Sequence, residues 1–119
     1  MKIARRAWIV LPVSVALFLA ACNYAKPVMY INLSNLSGHT IRNIELKHPT
    51  GIFGLPELRN DHTHSHMAPI GTPCRFNLNF EDETGKKYTV DYDLGQKCPT
   101  ELVFEVGPGM TVSERQLRP

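Results

Sequence analysis

The chain has 119 residues, with 13 Lys and Arg against 11 Asp and Glu, a formal charge of +2. Three of the basic side chains, Lys2, Arg5 and Arg6, fall within the first six residues, so the rest carries 10 basic against 11 acidic groups, a charge of −1. A near-neutral remainder without a Lys/Arg cluster excludes the electrostatic footprint of a nucleic-acid binder and a polybasic patch for lipid headgroups.

Those three basic residues precede an apolar run from Ala7 to Ala20, which is too short to span a bilayer and carries Pro12 in its middle. The run ends in Leu19-Ala20-Ala21-Cys22. Basic region, apolar stretch and small residues together are what secretion and signal cleavage require, and the final four residues resemble the lipobox of bacterial lipoproteins. The resemblance implies a signal peptide over residues 1–21, cleavage before Cys22, a thioether-linked diacylglycerol on Cys22 and acylation of its new amino group. Asn23 follows the anchor, where Asp favours inner-membrane retention in the family's sorting logic; the resemblance therefore implies the outer membrane, with the domain facing the periplasm. Residues 22–27 are then the lipidated cysteine and a short tether, and 28–119 a single domain of the size expected for one small core.

With Cys22 assigned to lipid, Cys74 and Cys98 remain, and the oxidising periplasm favours a disulfide between them. A spacing this wide lacks the short-range ligand pairs of structural zinc sites.

Along the rest of the chain the dominant period is two, and no dozen residues carry apolar positions at helical spacing without a Gly or Pro interruption. Expected strands run over Val28 to Leu36, Ile41 to Lys47, roughly Thr63 to Ile70, Cys74 to Asp82, Tyr88 to Leu94, Glu101 to Gly107 and Met110 to Gln116. The sharpest is Cys74 to Asp82, with Cys74, Phe76, Leu78 and Phe80 on one face and Arg75, Asn77, Asn79 and Glu81 on the other. Glu83-Thr84-Gly85-Lys86 then turns the chain into Tyr88, Val90, Tyr92 and Leu94, a hairpin whose register sets Cys74 opposite about Leu94, so the disulfide clamps its open end. The fold class is all-β: a small antiparallel β-sandwich, immunoglobulin-like or transthyretin-like, of about seven strands with one disulfide.

Two segments carry candidate chemistry. In Asp61-His62-Thr63-His64-Ser65-His66-Met67, three of the five histidines alternate along one strand face. Neighbouring imidazoles about 6.5–7 Å apart can converge on zinc or copper, but His62 and His66 lie about 13 Å apart on a straight strand. A metal site built on His62, His64 and His66 therefore needs a further ligand from His39, His48 or Asp61. The alternatives are a solvated polar face or a pH-responsive patch. The second segment, His48 to Leu58, reads as a Gly/Pro-rich loop that is nonetheless apolar: Ile52, Phe53, Leu55 and Leu58 either cover an open end of the sandwich or form a patch for a protein partner.

No nucleophile elbow, phosphate loop or His-Glu-x-x-His motif is present. Ser37 near His39 is a coincidence of sequence, since residues two apart cannot set a nucleophile against an oriented base. Asp91 and Asp93 share a wet strand face with nothing near to raise a pKa. The expected function is a lipid-anchored binding module with no catalytic activity and no cofactor: an accessory subunit of an envelope complex, or an inhibitor or immunity protein. The alternative is a periplasmic zinc- or copper-binding lipoprotein.

Overall fold

The computed structural model describes residues 27–118; the expected signal peptide, the expected lipidation site at Cys22 and most of the expected tether lie outside the described residues. Eight strands follow one another: β1 (Val28–Asn35), β2 (Ile41–His48), β3 (Gly51–Leu58), β4 (His62–Pro69), β5 (Arg75–Glu81), β6 (Lys87–Asp93), β7 (Glu101–Val106) and β8 (Val112–Arg118). They form two four-stranded sheets, ordered β4-β1-β7-β8 and β3-β2-β5-β6. The expected all-β sandwich is what the chain adopts. Its two sheets of four strands depart from the four-plus-three arrangement of immunoglobulin constant domains.

The alternation that predicts the strands also builds the core. Met29, Ile31 and Leu33 of β1, Phe76, Leu78 and Phe80 of β5, and Leu102, Phe104 and Val106 of β7 all turn inward and are buried. Phe104 joins the sheets, its ring centroid lying 5.2 Å from that of Phe76 and 5.1 Å from that of Tyr92. β7 is a central strand, parallel to β1 and antiparallel to β8, and its near-continuous apolar run matches that position.

The β5–β6 hairpin has the expected register, Arg75 opposite Asp93 and Glu81 opposite Lys87, with Leu94 N donating to Cys74 O at 2.8 Å. Cys74 and Cys98 are bonded, with Cα atoms 5.1 Å apart. Because Cys98 sits on the crossing from β6 to β7, the bridge also ties one sheet to the connection that enters the other.

Two expectations need correction, and a third feature goes beyond what was expected. The segment expected as a loop is strand β3, which raises the count from seven to eight. Its residues pair regularly with β2, Leu46 opposite Phe53 and Ile44 opposite Leu55. As an edge strand it needs a partner on one side only, so Pro56, which lacks an N–H, is tolerated. Gly54 suits close approach: a Cβ there would lie 3.3 Å from Ile44 O. Second, the last strand begins at Val112 rather than Met110, because Pro108–Met110 form a 3-10 turn in which Gly109 and Met110 take positive φ of 70° and 59°. Third, β2 carries a bulge between Arg42 and Glu45, with Asn43 at φ 49°, which lets Ile41 and Ile44, three apart, both face the core.

The Ser37-Gly38-His39 turn joins strands in different sheets, and a buried Asn35 organises it. The Asn35 Nδ2 donates to His39 O at 2.7 Å and Leu58 O at 2.8 Å, while its Oδ1 accepts from Ser37 N and Oγ. Asp61 N donates to Asn35 O at 2.7 Å and Gly38 N to Asn60 Oδ1 at 2.8 Å. One fully bonded amide thus holds the β1–β2 and β3–β4 connections together at this pole.

Candidate functional site at the seam of two edge strands

Strands β3 and β4 are edge strands of different sheets, and they lie along the same flank. Period-two alternation sends His64 and His66 to the inner side of β4, opposite Leu33 and Ile31 of β1. The same alternation sends Phe53 and Leu55 of β3 inward, where they pack against the core. The rings meet at the seam. Phe53 stacks on His66 at 4.2 Å between centroids and lies 5.7 Å from His64, and His48, the last residue of β2, is 5.5 Å from His66 and 6.3 Å from Phe53.

Of the three histidines singled out in the sequence, the seam therefore gathers two. His62 sits at the start of β4 opposite Asn35, four positions from His66, and makes none of these ring contacts. Among the described residues no group of three or more His, Cys, Asp or Glu is disposed to hold a metal ion, so the set His62, His64 and His66 does not converge. His48 takes the place expected of His62. His39 instead reaches Glu83, at 3.6 Å from Nδ1 to Oε2.

Partial burial and mutual repulsion tune the seam histidines. Desolvation, with the neighbouring His66 adding to it, holds the His48 imidazole below its ordinary value of 6.5. Desolvation and then His64 do the same to His66. Thr50 fixes the ring state of His48. Its single hydroxyl proton is given to Pro69 O at 2.8 Å, so toward His48 Nδ1, 3.3 Å away, the oxygen can only accept. Nδ1 then carries the proton and Nε2 the lone pair.

The four apolar candidates on β3 have separate fates. Leu58 is in the core, Phe53 and Leu55 are half-buried against it, and Ile52 stands out at 60% exposure. Exposed apolar surface that sequence reasoning did not assign adds Tyr30 at 49% and Met67 at 58%, paired across β1 and β4 on the outer face. The signal for both was present in the register of those strands, since each falls one position off the buried set.

The groups weighed for catalysis are engaged structurally. Ser37 is buried with its hydroxyl 2.7 Å from Asn35 Oδ1 and 3.0 Å from His39 O. Asp91 accepts from Asn77 Nδ2 at 2.7 Å, and Asp93 accepts from Gly95 N and pairs with Arg75 at 3.4 Å.

No protein-family model matches the sequence, and no curated protein does. Among solved structures the chain is similar to the NMR structure of a protein from Eubacterium rectale, with 14% identity over 79% of this chain and 92% of that one and a TM-score of 0.55. At that identity the likeness concerns the fold alone.

Proposed function

We propose that this protein is a binding module of the bacterial cell envelope, held at the outer membrane through a lipidated Cys22 and facing the periplasm, and that it acts by capturing a protein partner rather than by catalysis. It serves as an accessory subunit of an envelope complex or as an inhibitor or immunity protein. The observation that carries this reading is that large apolar side chains are left to water on β3 and on the neighbouring β4–β1 pair: Ile52 on β3, Met67 on β4 and Tyr30 opposite it on β1. Exposed apolar groups of this size on a small domain favour a partner that covers them. The lipobox resemblance supplies the compartment, and the Cys74–Cys98 disulfide is consistent with an oxidising one.

The test is photo-crosslinking in cells, with a photoreactive side chain placed at Ile52, Met67 or, as a control on the far edge, Asp91. A discrete adduct from Ile52 and Met67 that is absent from Asp91 supports the reading. Equal or absent crosslinking from all three positions removes it.

A further inference from the structure

We propose that His48 and His66 form a two-histidine site for a divalent transition cation of the zinc or copper class, bridging the two sheets at their seam. Imidazole is the ligand such ions favour in an oxidising compartment. Metal–nitrogen bonds of about 2.0–2.1 Å at a tetrahedral angle put two ligating ring centroids about 5 Å apart. The His48 and His66 ring centroids are 5.5 Å apart and tilted by 46°, a separation that matches two ligands of one ion.

Two further features prepare this pair. Thr50 accepts from Nδ1–H of His48, which leaves Nε2 unprotonated; fixing a ligand's tautomer through its second nitrogen is how metal-binding histidines are oriented. Thr50 is itself held, through its bond to Pro69 O and by packing against Gly71, where a Cβ would come within 2.9 Å of Thr50 Cγ2. Gly51 keeps the ligating edge open: a Cβ there would lie 3.4 Å from His48 Cε1 and 3.7 Å from Nε2. On the other side, Phe53 stacks on the His66 ring and limits its rotation. Both histidines are only partly buried, so an ion reaches them from solvent and keeps open positions for water or a partner's donor. The lowered proton affinity of both rings works in the same direction, because less proton competes with metal near neutral pH.

The site is tested by titrating the full chain in detergent with ZnCl2, and in parallel with CuCl2, carrying Cys22→Ala in every sample so that no thiol competes. The expected result is one ion per chain, with the nitrogen resonances of His48 and His66 shifting together under zinc and broadening together under copper on the otherwise unaltered protein. His48→Ala and His66→Ala should each weaken binding at least tenfold, Thr50→Val about tenfold, and His62→Ala not at all. The nitrogen shifts read the site even if a variant fails to fold. The proposal is overturned by the absence of saturable one-to-one binding, by binding that survives both His48→Ala and His66→Ala, or by an equal loss in His62→Ala, which would mark a loosely chelating histidine tract. Unchanged affinity in Thr50→Val would remove the orienting role assigned to its hydroxyl.

Discussion

Phe53 and His66 stack face to face with centroids 4.2 Å apart, although their strands belong to different sheets and share no ladder. The contact closes a flank that would otherwise show water two unpaired edges side by side. Edge strands are the exposed templates for unwanted pairing, and inward-pointing polar groups are one way of guarding them. The opposite flank uses a carboxylate: Glu114 of edge strand β8 lies near enough to Tyr92 of edge strand β6 that, after burial, it is the second cause raising that phenol above its ordinary 10.0. Phe53→Ala should open the first flank. Because Phe53 is half-buried, the loss should be about 1–2 kcal/mol, below the 3–5 kcal/mol of a fully buried ring, as read from urea denaturation.

Leu58 and Ile52 separate the core from the surface of β3. Leu58→Ala should cost about 2–4 kcal/mol, whereas Ile52→Ala should stay within about 0.5 kcal/mol. Equal effects on the denaturation midpoint would contradict the assigned strand register.

Asn35 is buried with every polar atom bonded. Asn35→Ala leaves the carbonyls of His39 and Leu58 with a lost donor, at a cost of about 2–3 kcal/mol. Faster amide exchange should accompany it at Ser37, which donates to Asn35 Oδ1, and at Asp61, which donates to Asn35 O. A destabilised protein with unchanged exchange at both amides would argue against the shared network.

The seam histidines make stability depend on pH. Their folded-state affinities for protons are lower than the unfolded value of 6.5, so the unfolded chain binds more protons as pH falls. Stability from this source is fully present above about pH 6.5 and declines below it, toward the folded-state values. Denaturation midpoints between pH 8 and 5 should show the decline, and His48→Phe with His66→Phe should flatten it. A slope that persists in the double variant would place its origin elsewhere.

Removing the disulfide by Cys74→Ser with Cys98→Ser should cost about 3 kcal/mol in the chain-entropy treatment of the loop it closes, whose cysteines are 24 residues apart. Hydrogen exchange should rise first at Leu94 and Cys74, whose backbone pairing closes the hairpin beside the bridge.

Period-two alternation was enough to read β1, β5, β6 and β7 from the chain, because a strand with one buried face writes its burial directly into residue order. The β5–β6 register followed from a turn of fixed length, and with it the nearness of Cys74 to the start of the next segment. β3 escaped because Gly51, Gly54 and Pro56 carry loop signals, and only its position at a sheet edge, a property of the whole assembly, makes them acceptable in a strand. The bulge at Asn43 escaped for a related reason, since it is defined by what lies opposite. The histidines illustrate the same division. Sequence alone determined that His62, His64 and His66 share a face and that a straight strand keeps the outer two apart. That Phe53 and His48 would join His64 and His66 was decided by the packing of two edges from different sheets, a juxtaposition between residues far apart in sequence that no local period encodes.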